Sequence, residues 1–283
     1  MIIKAPAKIN LFLEVLRRRE DGYHDIQTIM VPISIYDEIE LERHSDVILE
    51  CNEASLPKDE KNLALKAAIL YLKNAGIKEG VYIRLKKKIP ISAGLGGGSS
   101  DAAAVLKGMN IIFRQFSKAE LLSLAKEIGA DVPFFLYESI CLAKGIGDII
   151  EPLPERRLYF LLITPEIKVS TKWVYNEYDK LDLTKKEQSS IKHYWEKGQI
   201  EALLKNDLER VTAQYFPVIK ELKMLLIKVG AKGAVMSGSG PAVFGIFGSI
   251  SDANKALKRL PANIGKLFVA SSLHKEAWGV AKR

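Results

Sequence analysis

Three features of the 283-residue chain could do chemistry together: a glycine-rich stretch, a lysine and an aspartate. The stretch is Pro90-Ile91-Ser92-Ala93-Gly94-Leu95-Gly96-Gly97-Gly98-Ser99-Ser100, running on into Asp101-Ala102-Ala103-Ala104-Val105-Leu106. Glycines have no side chains to pack, tolerate positive φ and let a ligand approach the main chain. The Ser-Ser-Asp that follows reads as a helix start, whose first N–H groups lack internal partners and carry the positive end of the helix dipole. An anion is the natural guest of such a cradle. It is not a P-loop, which needs a Lys where Ser99 follows Gly98, nor a dinucleotide fingerprint, whose last glycine is replaced by Ser99.

Lys8 and Asp131 gain meaning only beside that cradle. Alone, a Lys on the polar face of a strand is a solvated edge residue, and an Asp before a short helix is an N-cap. Phosphoryl transfer to an alcohol needs a carboxylate to orient or deprotonate the hydroxyl and a cation to offset developing charge. A phosphate cradle, an Asp and a Lys supply those parts.

The elements that must position them follow from periodicity. Residues 2–16 form a strand with Ile9, Leu11, Leu13 and Val15 on one face, and Lys8, Asn10 and Glu14 on the other. A polar turn at 17–22 leads to strands at 23–31 and 36–42, so the start reads as an antiparallel meander. Helices are expected from Asn62 to before Gly76, from the glycine stretch to about Phe113, and from a Ser117/Glu120 capping box to before Gly129. Asp131 then opens a short helix, and strands follow near 140–143 and 148–151. Pro152-Leu153-Pro154-Glu155-Arg156-Arg157 is the expected boundary, dividing the chain into 1–155 and 156–283. The second part reads as a buried strand at 158–163, helical stretches over 171–229, strands at 233–236 and 243–247 flanking Ser237-Gly238-Ser239-Gly240-Pro241, a helix from Asp252 and a last strand near 267–271. Alternating strands and helices indicate α/β or α+β.

Composition narrows the class. With 48% hydrophobic and 27% charged residues the chain is an ordinary globular protein that can bury a sizeable core. No apolar run is long enough to cross a bilayer and the first residues lack a secretory signal's apolar region, so the expected compartment is the cytoplasm. Cys51 and Cys141 read as buried or half-buried thiols, and His24, His44, His193 and His274 have no ligand spacing, so no metal of protein origin is assigned. A net charge of +8 suits an anionic small substrate or, alternatively, nucleic acid. No aromatic-interleaved basic platform supports the second. The basic residues are spread along the chain and most read as solvated surface; the tight runs are Arg17-Arg18-Arg19 and Lys86-Lys87-Lys88, and the second is what suggests the nucleic-acid alternative.

Pro6-Ala7-Lys8-Ile9-Asn10-Leu11, the stretch from Pro90 to Ser100 and Ser237-Gly238-Ser239-Gly240 resemble the three motifs of the GHMP kinases, in order and across nearly the whole chain. Asp21-Gly22-Tyr23-His24 and Gly129-Ala130-Asp131-Val132-Pro133-Phe134-Phe135 resemble the branch that phosphorylates the 2-hydroxyl of a cytidine-diphosphate-linked methylerythritol in the non-mevalonate isoprenoid route. The resemblance implies a two-lobed fold, with an N-terminal α/β lobe built on an antiparallel-rich mixed sheet and a C-terminal ferredoxin-like α+β lobe. It implies that residues 90–100 hold the phosphates of ATP with Mg²⁺, that Asp131 is the base and that Lys8 stabilises charge. By the same resemblance Asn10 contacts the polyol or Asp131, His24 bonds the cytosine edge, Tyr175 stacks on the ring and Tyr23 walls the pocket. Met30 stands where relatives often carry a second aromatic, and Ser237 to Gly240 buttress the phosphate loop. A monomer or homodimer binding neither nucleic acid nor membrane is expected. Kinases acting on mevalonate or homoserine are the alternatives, and an alcohol without a cytosine has no need of Tyr23 and His24.

Overall fold

The structure, a computed structural model, describes residues 1–181, 191–274 and 280–281. The part of the expected helical stretch at 182–190 lies outside the described residues. Strand β1 (Ile2–Arg18) pairs antiparallel with β2 (His24–His44) along nearly its whole length. Instead of the two strands expected at 23–31 and 36–42 the chain makes one. The expected break is a bulge, where Ala7 and Pro6 of β1 pair with Ile33 and Tyr36, and β1 running alongside holds β2 extended through it. That bulge also separates Ile3 and Ala5, which join a core with the helices, from Ala7, Ile9 and Leu11, which face a second sheet.

After β3 (Ile48–Cys51) comes α1 (Leu63–Ala75), capped by Asn62, whose side chain accepts from Ala64 N–H at 3.0 Å, and stopped by the left-handed Gly76. Next are β4 (Gly80–Lys86), α2 (Gly97–Phe113), α3 (Lys118–Ile128), α4 (Val132–Tyr137), β5 (Cys141–Gly145) and β6 (Ile149–Pro152). The Ser117/Glu120 capping box is formed in both directions. The sheet runs β1-β2-β4-β3, with β5 and β6 continuing from β2; the β3/β4 pair is parallel, so it is mixed and mostly antiparallel.

The rest of the chain is β7 (Tyr159–Thr164), α5 (Thr171–Tyr178), α6 (Ile191–Glu196), β8 (Lys205–Asn206), α7 (Glu209–Tyr215), α8 (Val218–Lys228), β9 (Gly233–Met236), β10 (Val243–Phe247), α9 (Ile250–Leu257), β11 (Lys266–Ser271) and β12 (Val280–Ala281). An antiparallel sheet β11-β7-β10-β9 alternates its side chains. Leu161 and Ile163 pack with Leu222 and Leu226 of α8 and with Ala253 of α9, whereas Phe160, Leu162 and Phe244 meet Ile9, Leu11 and Val31 of the first sheet. β8 and β12 return to pair with β1, so the last third of the chain completes the first sheet. No described helix is long and apolar enough to cross a membrane.

Candidate active site

A cleft of about 1000 Å³ is lined by both parts of the chain. Its floor is the glycine stretch. Helix α2 starts at Gly97, earlier than the Ser-Ser-Asp start expected, with Gly96 at its N-cap in the left-handed region (φ 69°) and no side-chain cap. The first turn therefore begins with two residues that have no side chain, which leaves its unpaired N–H groups open to an anion. Ser99 lines the cleft; Ser100, about one hundred degrees further round the helix, is buried and does not.

The loop is fixed from behind. Ser237 Oγ donates to Gly94 O at 2.9 Å and accepts from Asn10 N–H at 3.1 Å. A Cβ on Gly94 would stand 2.1 Å from Ser237 O, so only glycine permits this backbone contact. Lys8 N–H donates to Leu95 O at 2.9 Å. Asn206 Nδ2 donates to Met236 O and Gly238 O, both at 2.7 Å, and so holds the loop at 237–240 in place. Of that loop, Gly238 and Ser239 line the cleft while Ser237 and Gly240 support from below.

Lys8 is not a solvated edge residue. Its side chain is 6% exposed, with Nζ donating to Asn10 Oδ1 at 2.6 Å and lying 3.4 Å from Asp131 Oδ2. Asn10 Nδ2 donates to Thr28 Oγ1 at 2.9 Å, and Thr28 Oγ1 donates to Phe12 O at 2.6 Å, so each member has one orientation. Asp131 precedes α4 but makes no side-chain cap bond, and its side chain, 36% exposed, is open to the cleft. The ordinary reading of each residue thus fails, and the pair forms.

Behind the phosphate loop lies a cluster that sequence reasoning missed. Lys87 is buried, its Nζ bonded to Asp37 Oδ2 and to Asp101 Oδ2, the latter at 2.6 Å. Asp37 Oδ1 also accepts from Lys88 N–H at 2.5 Å and Ile89 N–H at 2.9 Å. Asp101 Oδ1 is buried without a hydrogen-bond partner. Burial pushes the Asp101 carboxyl up to about 8; Lys87 opposes this and the Asp37 charge adds to it. Lys87 is raised despite its burial because two carboxylates face it. Lys87 and Asp101 both line the cleft. A signal was present in β2: Asp37 falls in the apolar row Ile35, Ile39, Leu41, and an acid there demands a buried partner. Lys87 could not be told from Lys86 and Lys88.

At the other end of the cleft, Tyr23 and His24 follow the β1/β2 hairpin. Tyr23 is exposed at the mouth, while His24 is buried. Tyr175, on α5, stacks on His24, with centroids 4.8 Å apart and planes at 26°. Burial, and secondarily the charge of Asp131, push the Tyr175 hydroxyl well above the ordinary tyrosine range. Thr171 of α5 shares a hydrogen bond of 2.8 Å with Ser239, which ties this helix to the third loop. Met30 does not line the cleft: it pairs with Asn10 and Cys141 in the middle of the sheet, and its side chain is buried in the core with Phe134 and Phe135. Cys51 is half-buried; Cys141 is buried, and burial pushes its thiol up to about 11, so Cys141 is not a reactive thiolate.

A glycine cradle at a helix N-terminus, facing a lysine and a carboxylate across a two-part cleft, defines a small-molecule kinase. The GHMP kinases N terminal domain matches residues 62–139, and the GHMP kinases C terminal domain matches 196–266. A 4-diphosphocytidyl-2-C-methyl-D-erythritol kinase of Caldicellulosiruptor saccharolyticus is 43% identical over 284 aligned residues, covering 98% of each chain. A crystal structure of a 4-(cytidine 5'-diphospho)-2C-methyl-D-erythritol kinase superposes with a TM-score of 0.84 at 36% identity, covering 96% of this chain and 98% of that one. A homoserine kinase structure from Cytophaga hutchinsonii, 24% identical with a TM-score of 0.71 and covering 96% of this chain and 94% of that one, shares the fold. The chain belongs to the GHMP kinases and, within them, to the 4-diphosphocytidyl-2-C-methyl-D-erythritol kinase family, with the two-lobed fold of that group.

Proposed function

We propose that the cleft transfers the γ-phosphate of ATP to the 2-hydroxyl of 4-diphosphocytidyl-2-C-methyl-D-erythritol, in the non-mevalonate route to isoprenoid precursors. The observation that carries this reading is the pairing of Lys8 Nζ with Asp131 Oδ2 at 3.4 Å, beside the N-terminus of α2. Asp131 accepts the proton of the attacking hydroxyl. Lys8, held by Asn10, offsets the charge that develops on that oxygen and on the transferred group. The open N–H groups of the first turn of α2 and of the loop before it hold the phosphates. Lys87 stands 3.2 Å from where a Cβ on Gly97 would be, so a fixed positive charge lies beside that turn.

Mg²⁺ is expected to neutralise charge between the β- and γ-phosphates. Among the described residues no group of three or more His, Cys, Asp or Glu side chains gathers. An Mg²⁺ that arrives on ATP keeps several waters and needs at most one or two carboxylates from the protein. Tyr23, His24 and Tyr175 lie at the far end of the cleft, where a base linked through a diphosphate would extend.

The test is ADP release with the cytidine-linked polyol, mevalonate and homoserine offered in turn. Turnover is expected with the first alone. Asp131→Asn should lower kcat by about 10²–10⁴-fold with ATP affinity kept, and an unchanged kcat would remove Asp131 from the role of base.

A further inference from the structure

The cluster behind the phosphate cradle has one positive group for two carboxyls. Lys87 Nζ bonds Asp37 Oδ2 and Asp101 Oδ2, and all three side chains are buried. Asp37 uses both oxygens as acceptors, Oδ2 for Lys87 and Oδ1 for the N–H groups of Lys88 and Ile89. Asp101 receives one bond, from Lys87, and its Oδ1 has no partner. Asp37 also acts on Asp101 across a side-chain hydrogen bond, and a carboxyl bonds a carboxylate only through a proton. One ammonium offsets one carboxylate. With both ionised, a net negative charge would be buried against the start of α2, so the hydrogen bonds and the charges both put the remaining proton on Asp101. Of the other elements that pack on α2, β1 brings Lys8, paired with Asp131, and the exposed Lys4; α1 brings Lys66, bonded to Glu127 O, and the exposed Lys73; and Glu138, at the end of α4, takes Lys107. The charged residues of α3 are exposed, so Lys87 and Asp37 are the charges that Asp101 faces.

We infer that this cluster is a proton-binding site coupled to the nucleotide: Asp101 takes up a proton, shared with Asp37, as the phosphates of ATP settle at the N-terminus of α2. The inference rests on the reading that the cradle holds those phosphates. Lys87 Nζ lies 3.2 Å from where a Cβ on Gly97 would be, so the ammonium that serves the two carboxyls also faces the first turn. With Asp101 protonated the cluster is neutral, and the positive end of the helix meets the phosphates undiminished. With Asp101 ionised the cluster is a buried net negative charge, and it repels the phosphates where salt screens little. Protonation and ATP binding therefore strengthen each other, by the same factor in both directions. The proton comes from solvent and forms one O–H bond, leaving the bonds of the nucleotide untouched. ATP affinity is full below the pH at which Asp101 titrates and declines above it.

The experiment is calorimetric titration of the full chain with ATP and Mg²⁺, without acceptor, in Tris and in HEPES, whose different heats of ionisation report the protons exchanged. The titrations centre on about pH 8, where the Asp101 carboxyl gives up its proton. The phosphates of ATP are already ionised there, so the nucleotide contributes no proton of its own. The wild type should take up about half a proton per ATP near that pH, and its Kd should rise by at least about fivefold between about pH 7 and about pH 9. Asp101→Asn, whose amide is neutral at every pH, should take up none and keep its Kd level over that range. Asp37→Asn, which leaves Lys87 a single carboxylate, should lose the uptake as well, so either variant serves where the other fails to fold. A wild type that binds ATP without taking up a proton, or an uptake and a Kd slope that persist in either variant, would overturn the proton site and leave the phosphate cradle standing. No binding of ATP at any pH would instead overturn the cradle reading, and the inference with it.

Discussion

Gly96 and Lys8 lie so close that a Cβ on the glycine would stand 2.9 Å from Lys8 Cγ and 3.1 Å from its Cε. The stem of the lysine runs against the bare N-cap of α2, and that contact sets where its charge ends up. Gly96 also has φ +69°, which an L side chain adopts only with strain. Gly96→Ala should cost about 1–2 kcal/mol of stability and, by shifting the Lys8 charge, lower kcat by about 10²-fold. Denaturant melts and steady-state kinetics measure the two effects. A wild-type kcat would mean that the lysine stem can move aside at no expense to chemistry.

Ser237→Ala tests the support beneath the phosphate loop. The hydroxyl is the partner of both Gly94 O and Asn10 N–H, and its loss takes this bond from a part-buried carbonyl and a buried N–H. We expect about 1–3 kcal/mol of destabilisation and a raised KM for ATP, read from urea titration and initial rates. Unchanged values in both would show that the loop stands without this bond.

Asp101→Asn tests the buried charge cluster through pH. The folded carboxyl titrates near 8 against an ordinary 3.8. Below 3.8 both folded and unfolded chains hold the proton and the contribution to stability is whole. As pH rises toward 8 the unfolded chain releases the proton first, so stability is lost across that window. Lys87 is raised from 10.5, so its own loss comes at higher pH. The variant has no such proton. Its Tm relative to wild type should therefore climb by a few degrees between about pH 5 and pH 8. A difference that stays flat would mean that Asp101 is ionised throughout.

Periodicity and capping made much of the fold legible. Asn62, Gly76 and the Ser117/Glu120 box mark helix ends that the structure keeps, because caps are local chemistry. The bend in β2 was not legible, since whether a chain breaks or bulges near Pro32 depends on the neighbouring strand. In the site, glycine spacing pointed to the cradle, and Lys8 and Asp131 were visible as residue types suited to the chemistry. Their meeting depends on the fold, as does the burial of Lys87 within a run of three lysines. Met30 was misplaced because strand parity does not say which face of a two-sided sheet meets a cleft.

The bond from Asn10 to Ser237 spans 227 residues, and β1 takes Lys205 and Asn206 as strand partners. The lysine made within the first ten residues is therefore completed by a loop from the last fifty. On the ribosome, the earliest strand emerges long before the segment that must lock it, and contacts of such sequence separation form slowly. We expect that nascent chains ending before Ser237 bind no nucleotide, so that activity appears only when synthesis is nearly over and truncated products are silent rather than partly active.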